Sequence, residues 1–330
     1  MKKPWESFSA VGDFYEPSLK RMVKQWVLLL PGMNMCSWYL SSCGGCTMCG
    51  FNGPASSKQQ YAWVTKYFGK RALSFLYWLG YWGIKDEHPE NLTIYNGGNF
   101  LNSGTEFPGS KTEIPLSLQM DICERVGRHP TIGKLFVESR PEFITENNIP
   151  ILMKLLSGKT LQIGIGLESR NDFVRNVLLR KGMSIAGFER AISIIRKNGA
   201  KSLVYVFLKP VGLDEQQAVE DAVQTIRYCF EMGVDEVSLS CAFIQEGTPM
   251  HKEFLAGKYK PPRLWSIIEV LKQTTGLGPV RVGTFEDDPP PIAVPRNCDW
   301  CTDRVNLALD RYRQSFDLSV FNNLRECNCK

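Results

Sequence analysis

Residues 134–142 read KLFVESRPE and residues 161–169 read LQIGIGLES: two apolar runs of strand length, each ending in acidic and hydroxyl-bearing residues. Between them, residues 142–156 (EFITENNIPILMKLL) place apolar side chains at helical spacing, so the stretch reads as strand, helix, strand. Nearly continuous apolar strands joined by helices are parallel strands with crossovers. The same alternation extends in both directions. Further strands are expected at 25–30 (QWVLLL), 92–96 (LTIYN), 202–208 (SLVYVFL) and 236–240 (EVSLS), with helices at 116–126, 185–197, 215–232 and 264–274. The fold class is therefore α/β, a parallel sheet or barrel whose functional groups lie just beyond the carboxyl ends of the strands.

The 330 residues suffice for one large domain, and 43% hydrophobic with 22% charged residues is the composition of a globular protein. A net charge of +5 without a basic run favours a polyanionic partner but does not require one. The N-terminus, MKKPWESFSAVGDF, lacks the apolar core of a signal peptide, and the most apolar stretch, 74–84 (SFLYWLGYWGI), is shorter than the roughly 20 residues of a membrane span. The expectation is a cytoplasmic chain with no membrane partner. Residues 1–22 read as an N-terminal extension, 23–286 as the barrel, and 287–330 as a Pro-rich linker (DDPPP) with a small Cys-rich tail.

Eleven cysteines set the chemistry. Cys123, Cys229 and Cys241 stand alone and read as buried singles, whereas the other eight fall in tight groups that argue for metal ligation rather than disulfides. Cys36, Cys43, Cys46 and Cys49 lie on a glycine-rich loop directly after a strand. Thiolates select zinc or an iron-sulfur cluster. A structural zinc would use all four, whereas a cluster with one open iron would use three. The latter fits Cys36, Cys46 and Cys49, with nine and two residues between them, and leaves Cys43 as an extra thiol. In the tail, Cys298 with Cys301 and Cys327 with Cys329 form two short bites that can complete a tetrahedral site, for zinc or for an auxiliary iron-sulfur cluster.

The residues at the carboxyl end of each later strand decide between zinc and cluster chemistry. Gly97 and Gly98 allow backbone to approach a ligand closely, and Asn99 comes directly after them. Glu138 and Arg140 end the next strand, and Glu168 and Ser169 end the one after, behind glycines that let the chain pass a flat ligand. Arg180, in LLRKG, suits a carboxylate, which guanidinium binds in bidentate fashion. His88, His129 and His251 are scattered and read as structural or surface groups. Residues 157–160 (SGKT) imitate the end of a phosphate-binding loop, but the glycine such a loop needs five positions before Gly158 is Met153.

This constellation resembles the radical S-adenosylmethionine superfamily, in its Elongator-catalytic-subunit-like branch. The runs GGCTMCGFNG, LFVESRPEFIT, GIGLES, KSLVYVFLKP, QEGT and KPPRLWSIIEVL, with the closing NCDWC and CNC, are similar to the radical subunit of archaeosine synthase over most of the chain. The resemblance implies a partial parallel (β/α)6-type barrel with a C-terminal metal-binding tail. It implies a 4Fe-4S cluster on Cys36, Cys46 and Cys49, with S-adenosylmethionine held by Gly97, Gly98, Asn99, Glu138, Arg140, Glu168, Ser169 and Arg180. The bound cofactor would be cleaved reductively, with electrons from a flavodoxin- or ferredoxin-like donor, to a 5′-deoxyadenosyl radical. The implied reaction is C–N cleavage of a lysine-adducted 7-deazaguanine in tRNA, reached through a partner subunit. Asn96-Gly97-Gly98-Asn99, which is not the serine-flanked form of that subunit and has Asn99 where many relatives in the superfamily carry an acid, and the apolar run 240–243 (SCAF) depart from it. They favour a competing reading in which a relative acts on a small biosynthetic molecule or breaks a different C–S bond of the cofactor. A reading from another class is a zinc-stapled RNA-binding module whose aromatic stretch, residues 61–82, stacks on bases.

Overall fold

The computed structural model describes residues 6–34, 36–42, 44–50, 58–106, 111–287, 289–325, 327 and 329, with the backbone alone over 58–68 and at 70. Eight strands form one sheet in chain order. The parallel part comprises β2 (Arg21–Leu29), β3 (Asn91–Tyr95), β4 (Lys134–Glu138), β5 (Thr160–Glu168), β6 (Lys201–Leu208), β7 (Glu236–Cys241) and β8 (Val280–Val282). The first strand, β1 (Ser9–Glu16), pairs antiparallel with β2. The six strands expected from the sequence are β2 to β7, and the curled α/β sheet is a half-barrel.

Helices fill the connections: α1 (Ser37–Ser41), α2 (Lys58–Ile84), α3 (Leu116–Arg128), α4 (Asn148–Leu155), α5 (Ile185–Lys197), α6 (Glu215–Glu231), α7 (Pro249–Leu255), α8 (Leu264–Gln273) and, after β8, α9 (Thr302–Arg313). Helix α6 opens on a reciprocal cap, Asp214 accepting from the Gln217 N–H while the Gln217 side chain accepts from the Asp214 N–H. The helix expected over 142–156 begins later. Pro141–Phe143 make a 3-10 turn, and Thr145 and Asn148 exchange side-chain-to-backbone hydrogen bonds of 3.1 and 3.0 Å that restart the chain as α4. Helix α2 breaks at Gly69, whose φ of 54° only glycine adopts freely. Its second half buries Leu73, Leu76 and Tyr77 and exposes Phe75, Trp78 and Trp82; the side chains of 61–68 lie outside the described residues. Among the described residues no helix is long and apolar enough to cross a membrane.

Strand alternation separates two environments. Leu92, Ile94, Leu135, Val137, Leu161, Ile163, Val204, Val206, Val237 and Leu239 are wholly buried in the main apolar core. Cys123, Cys229 and Cys241 are buried in that core as well, as expected of single cysteines. The alternate positions carry Thr93, Tyr95, Glu138, Gln162, Tyr205, Glu236, Ser238 and Arg281 and give a polar lumen. At its amino-terminal end, Glu16 pairs with Lys134 and accepts from Asn91, while Glu236 accepts from Arg281 at 2.8 Å and Gln162 at 3.2 Å. Those charges satisfy one another. The other end, where the strands deliver the motifs, holds the candidate site.

Candidate metal and cofactor site

The loop after β2 is strapped down at both ends. Near its start, Met33 N–H donates to the Glu113 carbonyl at 2.7 Å and the Asn34 side chain to the Thr112 carbonyl at 2.6 Å. Further on, the Thr47 N–H and hydroxyl bond the carbonyls of Leu179 and Leu178, both at 3.0 Å. Met48 packs on a second apolar cluster built from Val174, Leu179, Phe207, Ile244 and Met250. Gly50 lies so close to Gln245 that a Cβ there would sit 2.9 Å from its Oε1. These anchors leave Cys36, Cys46 and Cys49 partly exposed and outside any disulfide. Cys43 lies outside the described residues.

The three thiols share one electrostatic neighbourhood. Burial pushes the Cys46 thiol up to about 11, opposed by the nearby Lys181 and Arg140 and reinforced by Cys49 and Glu168. Burial and then Glu113 raise Cys36, with Arg140 opposing. Three thiols with cations beside them are a donor set suited to a soft metal or cluster, which would deprotonate them on binding.

Glu113 is the residue that sequence reasoning missed. It is wholly buried and accepts from the Ser37 N–H at 3.1 Å, the Asn99 N–H and side-chain amide both at 2.6 Å, and the Asn102 amide at 3.1 Å. It therefore ties the first cysteine's helix to the Gly97-Gly98-Asn99 turn. A Cβ at Gly98 would fall 1.9 Å from its Oε2, which is why that position must lack a side chain. Asn99 completes the link by accepting the Arg140 N–H at 2.9 Å. An acid does stand at this turn, supplied by a loop glutamate that neither helical nor strand periodicity marks. Glu113→Gln keeps the size but loses one acceptor oxygen, and should cost about 1–3 kcal/mol in urea unfolding together with reduced iron uptake at the loop. Unchanged values of both would refute this organising role.

The other expected residues divide into those facing the loop and those spent elsewhere. Glu138, at the end of β4, accepts from the Tyr205 hydroxyl at 2.5 Å, and burial holds its carboxyl above the usual range. Arg140 stacks on Trp38 at 5.0 Å and donates to Glu142 at 2.5 Å and to the carbonyls of Lys181 at 2.7 Å and Gly182 at 2.8 Å. Glu168, held at a φ of 67°, accepts from Lys181 at 2.8 Å, and a Cβ on Gly166 would collide with both groups. Burial disfavours the Lys181 charge, but Glu168 and Cys46 together hold its pKa above the ordinary value. Ser169 is wholly buried, donating to Asp221 at 2.7 Å and accepting from the Asn171 N–H at 3.0 Å. Arg180 is exposed, and its carbonyl takes the Trp38 indole N–H at 2.8 Å. The structure thus gathers Cys36, Cys46, Cys49, Asn99, Arg140 and Glu168 into one neighbourhood, adds Glu113 and Lys181, and leaves Ser169 and Arg180 outside it.

The tail thiols converge independently. Cys298 lies 3.6 Å from Cys301 and 3.5 Å from Cys327, Cys301 lies 3.4 Å from Cys329, and all four sulfurs fall within 4.8 Å of one another.

Comparison with known proteins places the chain. No family model matches it. A protein named archaeosine synthase subunit beta from Thermococcus kodakarensis is 32% identical over 251 residues, covering 73% of this chain and 72% of that protein. The chain belongs to the archaeosine synthase subunit beta family. A second protein of that name, from Methanosarcina acetivorans, is 29% identical over 309 residues, 89% of this chain and 80% of the relative. Among solved structures, the archaeal Elp3 of Methanocaldococcus infernus with an N-terminal deletion superimposes with a TM-score of 0.51 at 15% identity. That likeness is one of fold: it covers 87% of this chain, which spans 62% of that structure.

Proposed function

We propose that Cys36, Cys46 and Cys49 hold a 4Fe-4S cluster and that the chain uses S-adenosylmethionine to cleave the C–N bond of a lysine-adducted 7-deazaguanine in tRNA, working with a partner subunit. The observation that carries this reading is the gathering of three thiols with Arg140 and Lys181 beyond the carboxyl ends of parallel strands, in a chain of this family. When bound, the cluster and its ligand supply a reductively generated 5′-deoxyadenosyl radical, with electrons from a flavodoxin- or ferredoxin-like protein. The rest of the chemistry belongs to the chain's own groups. Gly97, Gly98 and Asn99 offer backbone and amide to the methionyl group, and Glu138, at the end of β4, belongs to the same proposed set. Arg140 grips the carbonyls of Lys181 and Gly182 and so holds that segment and its own charge beside the thiols. Glu168, beside the thiols, completes the proposed cofactor set, and Ser169, spent on Asp221, and Arg180, turned to solvent, are left out of it.

For the tail, the reading is one zinc ion on Cys298, Cys301, Cys327 and Cys329. A tetrahedron with metal–sulfur bonds of about 2.3 Å has an edge of about 3.8 Å. The separations of 3.4, 3.5 and 3.6 Å suit a single ion, whereas an iron-sulfur cluster spreads its thiolates wider.

Anaerobic reconstitution and subsequent reduction test the main proposal. The expected result is about four irons at the first loop and 5′-deoxyadenosine formed from S-adenosylmethionine, with the amidine product appearing only when adducted tRNA and the partner subunit are added. A colourless, fully zinc-loaded protein that binds RNA in a salt-dependent way and cleaves no cofactor would overturn it. Turnover of a free small molecule without tRNA would overturn the substrate assignment alone.

A further inference from the structure

A buried lysine next to the first cysteine loop has no assigned task in that chemistry. The run LLRKG offers two adjacent cations, and the backbone separates them. Arg180 has a φ of 52° and Gly182 a φ of 56°, so the chain kinks on both sides of Lys181. Arg180 faces solvent, and Lys181 turns inward to 13% side-chain exposure. Its ammonium meets Glu168 at 2.8 Å in the space left by Gly166, where any Cβ would lie 2.4 Å from Nζ. The Lys181 carbonyl is gripped by Arg140. Gly182 must stay bare because a Cβ would fall 2.0 Å from the Trp38 ring.

Such an arrangement is costly. An ion pair taken out of water is seldom more stable than apolar side chains of the same volume. Here it also requires a non-glycine residue, Glu168, in the left-handed region. The neighbour that makes the charge useful is Cys46: the next residue, Thr47, bonds the carbonyls of Leu179 and Leu178 at 3.0 Å, two and three residues before Lys181, and Lys181 opposes the burial that raises the Cys46 thiol.

We propose that Lys181 is a positioning residue for the cluster's charge: its ammonium, oriented by Glu168, stabilises the reduced cluster on Cys36, Cys46 and Cys49 and so sets its reduction potential. This rests on the assignment of the cluster to those three thiols. One added electron makes the cluster more negative, so a nearby cation favours reduction and a nearby carboxylate opposes it. The two partners should therefore act in opposite directions, which a merely structural ion pair would not do.

The test compares wild type, Lys181→Met and Glu168→Gln after anaerobic reconstitution, using iron content and potentiometric titration monitored by electron paramagnetic resonance. At the potential where wild type is half reduced, Lys181→Met should show about tenfold less reduced than oxidised cluster, a shift of about 59 mV for a one-electron couple. Glu168→Gln should shift the other way. Equal midpoints in all three proteins, or shifts of the same sign in both variants, would overturn the inference while leaving the cluster assignment standing. Should Lys181→Met fail to hold iron, the sign of the Glu168→Gln shift decides alone. A wild-type chain that takes up no iron overturns the assignment and the inference together.

Discussion

Replacing Cys46 by serine should remove iron from the first cysteine loop and reduce cleavage of S-adenosylmethionine to background, while leaving the fold in place. The two effects separate because this loop is held by neighbours of the thiol and not by the thiol itself. Thr47 keeps its two bonds to Leu178 and Leu179, and Met48 keeps its seat among Val174, Leu179 and Ile244. Cys46 is only partly buried and makes no disulfide, so the stability change should stay within about 1 kcal/mol. A serine hydroxyl, by contrast, does not ionise to a soft ligand, and three thiolates are the minimum the proposed cluster has. The control is Cys123→Ser. That side chain is wholly buried in the apolar core, so a hydroxyl there should cost about 1–3 kcal/mol while iron uptake and 5′-deoxyadenosine formation persist. Iron analysis, product chromatography and thermal melts read all three quantities. A Cys46→Ser protein that still binds its full complement of iron would move the cluster elsewhere.

The strands at 134–138 and 161–167 are legible because their outer faces are unbroken apolar core, and the motifs are legible because function in such sheets gathers at strand ends. β1 and β8 are not. SAVGDFYE leaves most of its side chains partly or fully exposed, and VRV is three residues long, so neither shows the signature of a buried strand. Within the site, legibility fails where backbone sign decides direction. LLRKG presents Arg180 as the obvious carboxylate ligand, yet positive φ at 180 and 182 turns Lys181 inward to Glu168 and Arg180 to solvent. Glu113 is hidden for another reason: it comes from a loop, and its importance lies in four donors contributed by Ser37, Asn99 and Asn102, brought together only in three dimensions. Asn99 reads in one dimension as a loss of acid from the turn, and the fold restores one beside it.

Removing the zinc proposed for the tail should have the largest effect on stability. Cys301 is wholly buried and begins α9, whose Val305, Leu309 and Tyr312 enter the main core. The Tyr312 hydroxyl donates to the Val280 carbonyl at 2.7 Å, and Arg313 donates to the Gly283 carbonyl at 2.8 Å, so α9 covers β8. Phe316 stacks between Tyr312 at 5.5 Å and Tyr15 at 5.3 Å, which carries the contact across to β1. On the other side of the thiols, Asn297 accepts from the Leu264 N–H at 2.9 Å and so fixes the start of α8. Stripped of an ion, four sulfurs packed at 3.4 to 3.6 Å would be crowded polar groups held by nothing but the chain. Structural zinc in small domains is worth about 10–16 kcal/mol of apparent folding energy. Even a fraction of that, at roughly 2–4 °C per kcal/mol, places the expected fall in melting temperature on the order of 10 °C for Cys301→Ala or for chelation. Protease should then cut within residues 287–330 before it cuts the barrel. The iron of the first loop should remain at first, because the two thiol groups are held by different elements. Metal analysis should show one zinc lost and the iron retained. A Cys301→Ala protein that melts with wild type and keeps its zinc would mean that these thiols are neither the metal's ligands nor the clasp that holds α9 on the sheet edge.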